Sequence, residues 1–152
     1  MELSPRPPQF APTGAAAERF EARVGQIAPK IGARKLGYNL VAVPPGKRAY
    51  PLHSHRVQEE MFYVIEGTRE VRIGTGRFPI RAGDIIACPT GGAESAHQII
   101  NTGATELRYL AVSTKDGPKI CEYPDSGKIG AMGKDFRILL RADQQVGYWD
   151  GE

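Results

Sequence analysis

The sequence predicts an all-β fold of short strands, and three observations lead to it. Eighteen glycines and twelve prolines in 152 residues interrupt the chain too often for long helices. Apolar and β-branched runs of strand length recur at Leu36 to Val43, Met61 to Glu66, Thr68 to Ile73, Asp84 to Cys88, Ala96 to Asn101 and Leu107 to Ser113. Turn signals separate them: Pro44-Pro45-Gly46, Gly74-Thr75-Gly76, Ala82-Gly83-Asp84, Pro89-Thr90-Gly91-Gly92 and Asn101-Thr102-Gly103. Strands of this length and spacing build a sandwich or a barrel.

The first nineteen residues, rich in proline, read as a flexible tail without the apolar stretch of a secretory signal. From Phe20 to Ile27 the pattern fits two periods. Phe20, Val24 and Ile27 lie on a helical stripe, whereas Phe20, Ala22 and Val24 alternate with Glu21 and Arg23 as in a strand. The all-β setting favours the strand. Phe136 to Arg141 forms a further candidate strand, and Tyr148-Trp149-Asp150-Gly151 an aromatic tail expected to dock on something. No repeat or low-complexity linker divides residues 20–152, which read as one domain of a size able to bury a single core.

Composition narrows the function classes. Apolar residues make up 41% of the chain and charged residues 24%, and no apolar run approaches the ~20 residues of a spanning helix, so no membrane partner is expected. The net charge of +3 comes from scattered Lys and Arg, and no basic helix offers itself to nucleic acid. Cys88 and Cys121 show neither a CxxC spacing nor a disulfide-rich pattern, and in the expected cytoplasmic setting both stay thiols.

The chemistry concentrates in three histidines. His53 and His55 are two apart, so an extended backbone points both imidazoles to one face. Glu60 opens the apolar run MFYVIEG, where a buried carboxylate requires a partner. His97 starts another candidate strand. Glu59 adjoins Glu60, and strand alternation sends the two to opposite faces.

These residues sit in two spaced motifs. Gly46, six residues, His53, one residue, His55, four residues, Glu60, six residues and Gly67 resemble the first motif of the cupins, with one extra residue in the first gap. Gly83, five residues, Pro89, one residue, Gly91, then His97, three residues and Asn101 resemble the second, with a turn before His97 three residues longer than the commonest form. The chain from about Leu36 onward, including the YPDSGK segment and the YWDGE ending, resembles a branch of small bacterial cupins of the conserved-barrel (cupin 2) type. The resemblance implies a double-stranded β-helix, or jelly-roll barrel, with one divalent metal inside it, held by His53, His55, Glu60 and His97.

Three imidazoles and a carboxylate suit Fe, Mn, Ni, Cu or Zn and leave an octahedral ion two open positions. Phe62 and Val64 share strand parity with Glu60, and Ile99 with His97, which makes them expected pocket walls. Tyr50, Arg48, Lys47 and Arg56 flank the His53-Ser54-His55 run, where cations would favour an anionic ligand. Tyr63, Tyr109, Glu94 and Glu59 are the candidates for a general base. The expected function is therefore metal-dependent chemistry on a small polar or anionic metabolite, isomerase-like or oxygenase-like, with a non-catalytic ligand-binding or sensing module as the alternative. A transcription regulator ranks below both, because no segment is left for a helix-turn-helix. Exposed sheet edges point to a homodimer, with the segment Phe20 to Ile27 crossing to its partner and the aromatic tail nearby.

Overall fold

The computed structural model of the chain describes Ser4–Pro5 and residues 11–152. Among the described residues thirteen strands follow one another: β1 (Ser4–Pro5), β2 (Arg23–Gln26), β3 (Leu36–Val43), β4 (Ser54–His55), β5 (Glu60–Glu66), β6 (Thr68–Ile73), β7 (Gly76–Arg81), β8 (Ile85–Cys88), β9 (His97–Ile100), β10 (Leu107–Thr114), β11 (Lys119–Tyr123), β12 (Lys128–Met132) and β13 (Arg137–Arg141). One helical turn, α1 (Ala15–Arg19), precedes them in part. Every strand pairing among the described residues is antiparallel.

A six-stranded sheet runs in the order β1-β2-β3-β10-β5-β8. A second layer comprises β7-β6-β9 and β13-β12-β11-β4, stitched together where His53 and His97 exchange backbone hydrogen bonds of 3.2 and 2.8 Å. The two layers make the jelly-roll. Between them Val41, Val43, Phe62, Val64, Val71, Ile86, Leu107 and Tyr109 form one buried cluster. Each such side chain contributes about 1.5–3 kcal/mol on leaving water.

Two polar devices close the barrel ends. Asn101 is fully buried and donates through Nδ2 to Val43 O at 2.8 Å and Thr105 O at 2.9 Å, while its Oδ1 accepts from Gly103 N. The Arg69 guanidinium donates to Thr105 O and Oγ1 at 2.6 Å and lies against Gly103, where any Cβ would stand 2.6 Å from Cζ. The β5–β6 hairpin turns on Gly67, whose φ of 102° suits glycine.

The expected strands Leu36 to Val43 and Thr68 to Ile73 form as read, and the others agree to within one residue at their ends. Asp84 is the instructive exception: its carboxylate leaves the strand to cap the preceding turn, accepting from Arg81 N at 2.8 Å. The segment after Phe20 pairs as β2 over Arg23–Gln26, and Phe136 to Arg141 pairs as β13. Strands β7, β11 and β12 are additional. Pro79 and Gly76 mask β7, but β7 is an edge strand, where a missing N–H costs no ladder bond. Part of the expected flexible tail lies outside the described residues; within the rest Ser4–Pro5 pairs with β2 as β1 and Ala15–Arg19 is helical, with Lys47 Nζ donating to Ala17 O at 3.1 Å and Glu18 O at 2.9 Å. Among the described residues the expected docking of the aromatic tail is not seen. Tyr148 and Trp149 are 88% and 77% exposed and pack edge-on against each other.

Candidate metal centre

Four side chains meet inside the barrel. His53 comes from the bridge between the two halves of the second layer, His55 from β4, His97 from the start of β9 and Glu60 from the facing six-stranded sheet. Their ligand atoms all lie within 4.8 Å of one another. Glu60 Oε2 is 3.2 Å from His55 Nε2, 3.2 Å from His97 Nε2 and 3.9 Å from His53 Nε2.

The outer nitrogens explain how the rings are aimed. His53 Nδ1 is 2.8 Å from Pro51 O, and His97 Nδ1 is 3.3 Å from Ser95 O. A carbonyl only accepts, so these contacts put the hydrogen on Nδ1 and leave the Nε2 lone pair facing inward. His55 Nδ1 instead meets Cys121 Sγ at 3.3 Å. His55 Nε2 is buried and has no hydrogen bond of sound geometry among the described residues, although Glu60 stands beside it. Inward lone pairs and a carboxylate converge with no donor between them, which is the donor set a divalent transition metal takes. The residues therefore fit such an ion.

Electrostatics agree. Burial pulls the His53 imidazole down to about 3, His97 adds to the fall, and Glu60 opposes it. Burial also pushes the Glu60 carboxyl upward, but contacts with His55 and His97 outweigh it and hold the group well below the usual carboxylate range, with Lys119 pulling the same way. Near neutral pH His53 is uncharged and Glu60 is ionised, as ligation requires.

Other expected site residues scatter. The Phe62 ring lies edge-on to His97, with centroids 5.4 Å apart, and against Tyr109 at 5.5 Å. Val64 and Ile99 belong to the buried core. Tyr50 stands 6.2 Å from the His53 ring. Arg48 pairs through its backbone with Phe20 and Ile100, Lys47 holds α1, and Arg56 donates to Glu122 Oε1 at 2.6 Å. Of the candidate bases, Glu59 is exposed beside Thr114, Glu94 accepts from Gly92 N at 2.8 Å, Tyr63 faces outward and Tyr109 is buried.

Sequence reasoning missed β11. Cys121 lies opposite His55 in the β4–β11 pairing, and Tyr123, on the same face of β11, stacks its ring on His53 at 6.2 Å and 25°. Lys119 shares that parity and acts electrostatically on Glu60. The available signal was the alternation Lys119-x-Cys121-x-Tyr123, which does not stand out without knowing its partner strand.

A jelly-roll that gathers three imidazoles and a carboxylate defines a barrel protein equipped to hold a metal ion. Residues 39–113 match the model of the cupin domain, and the chain belongs to the cupin superfamily, as a small cupin of the cupin 2 type. It is 40% identical over 70 residues to the oxalate-binding protein of Thermotoga maritima, covering 46% of this chain and 54% of that one. The chain thus spans about half the length of the curated relatives it matches. A sugar phosphate isomerase of the cupin superfamily from Silicibacter pomeroyi superposes with a TM-score of 0.78 at 25% identity, over 90% of this chain and 85% of that one. A cupin 2 conserved barrel domain protein from Salinispora arenicola shares the fold, with a TM-score of 0.54 at 23% identity, over 76% of this chain and 90% of that one.

Proposed function

We propose that the protein is a metal-dependent enzyme acting on a small anionic metabolite, through one divalent transition metal held by His53, His55, Glu60 and His97. The observation that carries this reading is the orphaned, inward-facing His55 Nε2 within a four-donor cluster. When bound, the metal supplies a Lewis acid with positions left for substrate oxygens. The chain's own residues do the rest. Pro51 O and Ser95 O fix two ring orientations, Phe62 and Tyr109 form a dry wall, and Lys119 supplies positive charge toward an anion.

Isomerase-like chemistry on an oxygen-rich anion such as a sugar phosphate is supported by the likeness to the Silicibacter pomeroyi protein over most of both chains. A second reading, a non-catalytic module binding a small dicarboxylate, is favoured by the likeness to the oxalate-binding protein and by Glu59 and Tyr63 being exposed and Glu94 accepting from its own loop at Gly92 N. On either reading the two free, buried thiols fit a reducing cytoplasm.

Elemental analysis of the purified protein beside His53→Ala and His97→Ala tests the metal. About one transition-metal ion per wild-type chain, and almost none in the variants, is expected; a metal-poor wild type from metal-replete expression sinks the reading. Screening the metal-loaded protein against oxalate and aldose or ketose phosphates then separates turnover from binding.

A further inference from the structure

Strands β11, β12 and β13 carry the ligand side of β4 away from the buried core. Residues directly opposite in antiparallel strands share a face, so the line from His55 through Cys121 and Gly130 to Leu139 continues that side of the sheet outward. Two cationic rows flank the line. Lys119, Met132 and Arg137 lie on one side of it, and Tyr123, Lys128 and Arg141 on the other. Neither row holds an acid. The carboxylate of these three strands, Glu122, alternates to the opposite face, where Arg56 pairs with it. Lys128 and Arg141 stand directly opposite each other, and like charges so placed destabilise a sheet. Among the described residues neither forms an ion pair that would offset this.

Tyr123 joins these cations to the cluster. Its ring stacks on His53 with centroids 6.2 Å apart, and Lys128 Nζ lies 5.5 Å from the centre of the same ring. The ring leans over Gly130, where an added Cβ would stand 3.6 Å from Tyr123 Cε2 and 3.2 Å from Leu139 Cδ1. The positive charge of Arg137 also reaches its phenol. A path of ligand, aromatic ring and cations thus leads outward from the four donors.

We propose that Lys128, Arg141 and Arg137 hold the phosphate of a phosphorylated metabolite whose other end reaches the metal, with its carbon chain lying along Tyr123. The inference rests on the metal-dependent reading above and names the part of the substrate that the cluster itself does not touch. A phosphate accepts from both facing cations at once and so removes the repulsion between them, and guanidinium and ammonium groups are the side chains that bind it best. Oxalate is too short for this path. With its two carboxylates on one ion, no part of it passes Tyr123. A pentose or hexose phosphate places a carbon chain between its hydroxyl oxygens and its phosphate, which is what two separated anchors require. The cationic rows therefore favour the sugar phosphate over the dicarboxylate.

Calorimetric titration of the full chain tests the two anchors separately, with inorganic phosphate on metal-stripped protein and oxalate on metal-loaded protein. One saturable phosphate site is expected in wild type. Lys128→Gln and Arg141→Gln should each weaken it about tenfold or more, the loss of one charge-assisted hydrogen bond, and Arg81→Gln, an exposed cation on β7, should leave it unchanged. Oxalate affinity should hold within about threefold in the two β12 and β13 variants, since solvent screens a charge at that distance. Without phosphate, Arg141→Gln is expected to melt no lower than wild type, because it removes a repulsive pair; a merely structural residue would lower the melting temperature. Should either variant fail to fold, Arg137→Gln replaces it under the same expectation. No saturable phosphate binding in wild type overturns the proposal. So does phosphate binding untouched by these substitutions, or an equal loss of oxalate and phosphate. A wild type that takes up no metal, yet binds phosphate through these cations, keeps the subsite and sinks the metal-dependent reading alone.

Discussion

Cys121 Sγ lies 3.3 Å from His55 Nδ1, across the register that sets β11 against β4. The thiol occupies the position where the other two histidines meet backbone carbonyls. For His55 Nε2 to offer its lone pair to a cation, Nδ1 must hold the hydrogen and donate to sulfur, a weak acceptor. Cys121→Ala removes that acceptor and frees the ring to turn. Loss of an outer partner of a metal-bound histidine weakens metal affinity by about 10- to 100-fold. Competition against a chelator of known affinity is expected to show a drop in this range for Cys121→Ala. An unchanged affinity would mean that the neighbouring His53 ring and the barrel wall hold His55 without the thiol.

Metal should stabilise the fold in proportion to its occupancy, because the four ligands converge only in the folded chain. At 100 times the dissociation constant a ligand adds about 2.7 kcal/mol. For a chain of this size each kcal/mol raises the melting temperature by about 2–4 °C, so a rise of roughly 5–11 °C on loading is expected. Glu60→Gln keeps the volume and removes the anionic donor, and its melting curve should barely respond to metal. Differential scanning fluorimetry reads both curves, and an equal rise in Glu60→Gln would show the metal binding elsewhere.

The metal-free protein should lose stability in acid through the same residues. His53 titrates at about 3 in the folded chain against an ordinary 6.5. Between those values the unfolded chain takes up a proton that the folded chain refuses. The contribution is therefore flat above pH 6.5 and falls as the pH drops toward 3, by at most about 1.4 kcal/mol per unit. Glu60 adds a second loss lower down: its stabilising contribution is full above 4.5 and disappears as the pH falls through its depressed folded value. Urea midpoints of metal-stripped protein measured between about pH 8 and 5 isolate the first limb. His53→Gln is expected to flatten it, and an unflattened profile would put the proton uptake on another group.

Local pattern made the ligands legible, while distant pairing hid their supports. His53 and His55 share a face because residues two apart do so in any strand, and Glu60 parts from Glu59 by the same rule. Strand β3 was readable because it is largely apolar between turn signals, and β6 because Val71 and Ile73 alternate with Glu70 and Arg72. Strands β7, β11 and β12 were not, since Pro79, Lys119 and Gly130 break the pattern and the pairing that overrides them is made elsewhere in the chain. Cys121 is 66 residues from His55, so no window along the sequence joins them.

Asn101 closes the second motif without touching the cluster, and its value is structural. Its amide donates to Val43 O and Thr105 O, and its carbonyl accepts from Gly103 N, so one buried side chain ties the end of β3 to the turn between β9 and β10. Asn101→Leu fills similar volume but removes the donor to Val43 O in the buried end of β3, at a cost of about 1–3 kcal/mol, while Thr105 O keeps its bond from Arg69. Asn101→Asp is expected to be at least as harmful near neutral pH, because an ionised carboxylate oxygen would face the two carbonyls that the amide nitrogen now serves. Lowering the pH protonates that oxygen and restores one donor, so the aspartate variant should regain stability on mild acidification, where wild type loses it. Opposite slopes of urea midpoint against pH for the two proteins are the expected result, and parallel slopes would show that Asn101 is not held by its donors.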